Sequence, residues 1–190
     1  MPRIAITGGV GEGKSTVLKF VHELGVSTVS SDAVARRVFK SSPVQQRLSE
    51  ATGMPLPILP EHLRDLFPKR PELRRTLNRI MHPLIREELL VSKAVAAEVP
   101  LLIEACMLAD FDRIWVVTCG PEEQLARVAA RLGSVEAAKR LIATQIPTRA
   151  KIPFADVVIR TNQPGECVKK FVEAAIRAEL GHEVAEHGTS

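Results

Sequence analysis

GGVGEGKST, residues 8 to 16, follows the apolar run Ile4 to Thr7 and precedes a helical pattern in which Val17, Leu18, Val21 and Leu24 share one face. The stretch fits GxxxxGK(S/T) through Gly8, Gly13, Lys14 and Ser15. Such a loop binds phosphate for a physical reason. A strand delivers backbone N–H groups turned inward, glycines let the anion approach closely, and the following helix points its N-terminus at the charge. The spacing therefore predicts a nucleotide-binding loop. Amides from Gly9 through Gly11, Glu12 and Gly13 to Ser15 cradle the phosphates, and Thr16 closes the stretch. Lys14 reaches the β and γ groups of ATP, and Ser15 coordinates Mg2+. Gly25 is placed to end the helix.

Outward from this unit, Val26 to Val29, Val99 to Ile103, Ile114 to Thr118 and Val157 to Ile159 read as further buried strands. Helical spacing returns in Leu73, Leu77, Ile80 and Leu84, and in Val168, Phe171, Val172 and Ala175 before Gly181. Strands separated by helices predict an α/β fold, a P-loop NTPase-type parallel sheet flanked by helices. Pro43, Pro55, Pro57, Pro60 and Pro68 break the rhythm and mark a helical insertion over about 40–95. A second insertion over about 121–153 gathers Arg127, Arg131, Lys139, Arg140, Arg149 and Lys151. It is either a lid or a solvated helical face. One domain is expected over residues 1–181, with its core at about 1–39, 96–120 and 154–181, and a polar tail at 182–190.

Composition excludes several classes. The 190 residues are 45% hydrophobic and 25% charged, ordinary for a chain with a full core. With 26 Lys and Arg against 22 Asp and Glu, the net charge of +4 suits phosphate ligands but is too weak to argue for DNA binding. One Trp and no Tyr leave little from which to build base-stacking platforms, so no nucleic-acid partner is expected. No apolar run approaches a membrane span and MPRIAITGG has no signal-peptide layout, which predicts a cytoplasmic protein without membrane attachment. Cys106, Cys119 and Cys167 read as reduced core thiols, and the histidines form no metal-ligand spacing.

After the second strand comes SSDAVARRV, which sets Ser30, Ser31 and Asp32 at a strand's carboxyl end, where open parallel sheets bind ligands. Asp32 there is either a base or metal-holding carboxylate, or the N-cap of the next helix. GTPase base-recognition motifs of the NKxD type are absent.

GGVGEGKST, DAVAR at 32 to 36, MHPLIR at 81 to 86 and VPLLIE at 99 to 104 occur in the order seen in the dephospho-CoA kinase family. DRIWVV at 112 to 117, QLARVAAR at 124 to 131, Gln145 and ADVVI at 155 to 159 also resemble it, so the likeness spans residues 3 to about 175. The resemblance implies transfer of the γ-phosphoryl group of ATP to the ribose 3′-hydroxyl of dephospho-CoA, giving CoA and ADP with no obligate protein partner. It implies Asp32 as the base for that hydroxyl, an acceptor-binding role for the helical insertion with His82 and Arg36, and lid arginines at Arg127 and Arg131.

Each of these keeps a plainer alternative. His82 contacts ligand phosphate or is a buried histidine beside a chain break at Pro83, which suits a helix's first turn. Arg36 contacts acceptor phosphate or pairs with Asp32 or Glu104. Arg127 and Arg131 stabilise the transferring group or are ordinary exposed charge.

The chain departs from the family twice. Ser30 stands where the family's first aspartate stands in Asp-x-Asp, and Glu104, expected at the end of the third strand, is the candidate to make good that loss. Arg160, Thr161, Asn162 and Gln163 replace the usual Asp-Asn turn, where the resemblance puts adenine contacts. Other activities left open are a P-loop kinase for a nucleoside monophosphate or sugar, or a nucleotide-binding module without catalysis.

Overall fold

The computed structural model describes residues 1–67 and 70–181. In its sheet unit β1 (Ile4–Thr7) leads through the glycine loop into α1 (Lys14–Glu23), and β2 (Thr28–Ser30) follows. A helical unit comes next, with α2 (Ser31–Lys40), α3 (Ser42–Thr52), α4 (Pro60–Leu66) and α5 (Pro71–Val91). The sheet unit resumes with β3 (Ala96–Glu98), β4 (Arg113–Thr118), α6 (Pro121–Leu132), α7 (Val135–Ile142), α8 (Thr148–Lys151), β5 (Val157–Arg160) and α9 (Gly165–Leu180). The five strands are parallel in the order β2-β3-β1-β4-β5. This is the α/β architecture that the alternation of strands and helices predicts.

β1 lies at the centre because it is apolar on both faces. Ile4, Ala5 and Ile6 have no exposure, and Val17 and Val21 of α1 pack with Val168, Val172 and Ile176 of α9 in the same core. Trp115 of β4 is also fully buried in that core. Burying such a side chain contributes roughly 1.5–3 kcal/mol each, enough to fix the sheet on which the loop rests. Gly25 has φ +79° and ends α1 as expected.

The third strand is Ala96–Glu98, not Val99 to Ile103. Pro100 has no N–H to give a ladder, so VPLLI leaves the sheet in turns while Val99 and Leu102 stay buried. Two small alanines fill the narrow space beside β1 in register Ile4↔Ala96 and Ala5↔Ala97.

The chain divides into one unit of Met1–Ser30 with the chain from Ala94 onward, and another of Ser31–Lys93. The helical unit thus begins before the expected 40 and takes in α2. Its prolines do what proline does best, with Pro43, Pro60 and Pro71 near the starts of α3, α4 and α5. Pro83 differs, standing inside α5 rather than in a first turn. Leu73, Met81 and Leu89 of α5 are buried with Val34, Val38, Val44 and Leu48. Phe171, read as part of the buried face of α9, is exposed. So are Cys106 and Cys167, and of the three cysteines only Cys119 is a core thiol. Residues 182–190 and Pro68 lie outside the described residues. No helix among the described residues is long and apolar enough to cross a membrane.

Candidate active site

The glycine loop turns out of β1 with Gly11 at φ +78° and Gly13 at φ +90°, a region that side chains disfavour. Space is closed as well. A Cβ on Gly11 would stand 2.5 Å from Val128, and one on Gly13 3.1 Å from Thr161.

Inside the loop, Glu12 is 2% exposed. Its carboxylate accepts from the Gly9 amide, from the Thr148 hydroxyl, and from the Thr118 hydroxyl at 3.2 Å. Its backbone oxygen accepts from Thr161 at 2.8 Å. The Gly9 amide also meets Thr148 Oγ1 at 3.0 Å, and the Val10 amide donates to Gln145 at 2.9 Å. These bonds narrow the expected phosphate cradle, because the amides of Gly9 and Val10 are engaged by side chains. Among the described residues, nothing accepts from the amides of Gly11 or Gly13. Lys14 is 7% exposed and donates to the Gly9 carbonyl at 2.7 Å, which holds its ammonium over the loop.

Ser15 donates to Glu98 at 3.1 Å. Glu98 ends β3, is buried, and stands in register with Ser30 of β2. It was not read from the sequence. The signal was nonetheless present, since Pro100 forces the strand to end earlier and leaves Glu98 as the carboxylate at the sheet's ligand-binding end. Glu98 thus sets a carboxylate on the strand beside Ser30, the position at which the resemblance implied an aspartate.

Glu104 does not end a strand. Both its oxygens accept from Lys151, at 3.0 and 3.1 Å, and Oε1 also accepts from the Ile146 amide at 3.0 Å. Lys151 is fully buried and gives a further bond to the Pro100 carbonyl at 2.8 Å. A buried ammonium persists only when so paired. Glu104 thus ties the segment after α7 to the loop after β3, and Glu98 is the acidic side chain beside Ser15.

Arg127 donates to Glu123 at 2.8 Å, to Thr161 Oγ1 at 3.2 Å and to the Thr161 carbonyl at 2.7 Å. The expected lid arginine is therefore fastened to the segment after β5, while Arg131, one turn further on α6, is exposed. A cavity of about 670 Å³ in the same unit is bordered by Thr118, Cys119, Gln124, Thr148, Arg160 and Asn162. Burial pushes the Cys119 thiol up, away from the reactive thiolate.

In the helical unit, Asp32 and Arg36 are exposed one turn apart on α2. The helix begins at Ser31, so Asp32 lies within its first turn, where a negative charge favours the helix dipole, rather than at the cap. His82 is exposed on α5. The alternative of a buried histidine at a chain break fails, because α5 runs on through Pro83. Arg37 and Glu88 join α2 to α5 at 3.0 Å.

With this geometry in view, known proteins separate the readings. A family model described as dephospho-CoA kinase matches residues 3–166. A dephospho-CoA kinase of Dehalococcoides mccartyi is 32% identical over 196 residues, covering 95% of this chain and 98% of that one. The crystal structure of TT1252 from Thermus thermophilus matches with TM-score 0.77 at 27% identity, covering 96% of this chain and 98% of that one. A dephospho-CoA kinase from Campylobacter jejuni matches at TM-score 0.71 and 22% identity over 93% of this chain and 96% of its own, a likeness of fold.

Proposed function

The chain belongs to the dephospho-CoA kinase family, and from that premise we propose how its residues divide the work of the reaction. It is an ATP-dependent kinase that phosphorylates dephospho-CoA, giving CoA and ADP in CoA biosynthesis. The observation that carries this is the family match across residues 3–166, which spans both the sheet unit and the helical unit.

In our reading the amides of Gly11 and Gly13, the Lys14 ammonium and the N-terminus of α1 hold the β and γ phosphates. Ser15 and Glu98 offer two hard oxygens 3.1 Å apart at the loop's edge, a donor set that fits Mg2+ with substrate phosphate and water completing its shell. When bound, that ion would neutralise charge on the phosphates. Asp32 takes the proton of the 3′-hydroxyl as the hydroxyl oxygen bonds to the γ-phosphorus. The bond from that phosphorus to the bridging oxygen breaks, and ADP leaves. Position supports this role, since Asp32 comes two residues after β2 ends at the sheet's ligand-binding side.

Arg131 is exposed and available to the transferring group, whereas Arg127 works through the segment it grips. Arg36 and His82 serve the acceptor, and Arg160 and Asn162 border the cavity that we assign to the nucleoside end of ATP. We place the reaction in the cytoplasm, between small-molecule substrates, without a nucleic-acid, membrane or obligate protein partner.

The test is ADP release with ATP and Mg2+ in the presence of no acceptor, dephospho-CoA, or a panel of nucleoside monophosphates and sugars. Stimulation by dephospho-CoA alone, with an equal amount of CoA, is expected. Stimulation by another acceptor instead, or by none, would overturn the assignment.

A further inference from the structure

We infer that Thr161 is a positioning residue for the ATP phosphates, acting through the orientation of one peptide plane in the glycine loop. The inference rests on the kinase reading above. In a trans peptide the C=O and the next N–H point in opposite directions. The Glu12 carbonyl accepts from Thr161 Oγ1 at 2.8 Å, so the Gly13 N–H is turned away from Thr161, and no described group accepts from it.

The peptide plane two steps earlier, between Val10 and Gly11, is set in the same way. The Val10 carbonyl accepts from Gln124 Nε2 at 2.9 Å, which turns out the Gly11 N–H. Glycine peptides flip readily, since neither sign of φ is barred to them, so a loop with Gly11 and Gly13 needs an external hold to keep two amides facing an anion.

Thr161 can act only in one direction. Its hydroxyl accepts from Arg127 Nη1 at 3.2 Å, and a guanidinium has no lone pair to give back, so the Thr161 proton is left for the Glu12 carbonyl. Arg127 Nη2 fixes the Thr161 backbone at 2.7 Å as well. Thr161 is 7% exposed and its side chain lies against Gly13, so water does not readily replace it. A short branched hydroxyl at 161 thus completes a relay from Arg127 of α6 to the loop.

The experiment compares wild type, Thr161→Val and Thr161→Ser by direct titration with ADP and ATP, by the KM of each substrate, and by thermal unfolding. Thr161→Val keeps the shape and removes the hydroxyl. It should weaken nucleotide binding and raise KM for ATP by roughly tenfold, the loss of one well-placed hydrogen bond, while KM for dephospho-CoA stays put. Thr161→Ser should recover most of the loss. Arg127→Ala should weaken nucleotide binding too, and should add little once Thr161→Val is present.

Wild-type nucleotide affinity in Thr161→Val would overturn the proposal, as would a lowered melting temperature with unchanged KM values, the pattern of a merely structural residue. Should Thr161→Val misfold, the Arg127→Ala titration decides alone: unchanged nucleotide affinity there overturns the relay. A wild-type protein that binds no nucleotide would overturn the kinase reading along with it, which separates the two failures.

Discussion

Every charged or hydroxyl side chain buried among the described residues lies in the sheet unit: Thr7, Glu12, Lys14, Glu98, Thr148, Lys151 and Thr161. The helical unit buries Val34, Val38, Val44, Leu48, Ile58, Leu63, Leu73, Met81 and Leu89, and keeps Asp32, Arg36 and His82 at its surface. The contrast separates two ways of building a site. Around the glycine loop, polar groups are already held by one another at fixed distances, so little reorganisation remains when charge develops on phosphate. In the helical unit the described buried side chains are apolar, and the side chains to which we assign chemistry are solvated, so in that reading a ligand would have to desolvate and orient them as it binds.

The largest expected effect tests whether the solvated half does chemistry at all. Asp32→Asn keeps the shape and removes the base, so kcat should fall by about 10²–10⁴ while ADP affinity, measured by titration, holds. An unchanged kcat would leave the helical unit as a binding surface only.

Next comes Lys151, the fully buried cation of the sheet unit. Lys151→Met strands Glu104 with one backbone donor, and should destabilise by roughly 2–4 kcal/mol once the partial exposure of Glu104 is allowed for, a drop of about ten degrees in Tm. Adding Glu104→Leu should recover much of it. If Lys151→Met melts like wild type, burial of polar groups is not what stiffens this unit.

The smallest effect sits on the surface, where Lys169 and Glu23 meet at 2.9 Å. The hydrogen bond from Lys169 holds the Glu23 carboxyl below its ordinary value. A lowered carboxyl pKa supports the fold above the ordinary carboxylate range and loses that support as pH falls through the lowered value. Glu23→Gln should therefore lower Tm slightly near neutral pH and not at all in strong acid, with the difference shrinking in added salt. A large effect would erase the distinction between surface and buried polar groups.

How much of this could be read from residues alone follows the same division. Local patterns with steep physical rules were legible. GGVGEGKST between an apolar run and an amphipathic helix has few other uses, and β1, α1, β4, β5 and α9 stand where their spacing puts them. β3 was misplaced because VPLLI is the more apolar run, although Ala96 and Ala97 are small enough to lie flush beside β1.

The side-chain roles of Glu12, Thr148 and Thr161 were illegible for another reason. Each depends on a partner more than eighty residues away in the chain, brought near only by the parallel sheet and the return of the segment after α7. Asp32, Arg36 and His82 were legible through spacing and family likeness, and the structure sets all three on the surface of the helical unit.

Trp115 gives the contrast an optical form. It is the only tryptophan, the chain has no tyrosine, and the ring is fully buried in the strand core. Intrinsic fluorescence is therefore a gauge of the sheet unit, while far-ultraviolet circular dichroism weights the helices of residues 31–93 as well. Two superimposable melting curves would mean that both units unfold as one cooperative body. Circular dichroism falling first would mean that the helices of residues 31–93 come apart while the sheet unit is still standing.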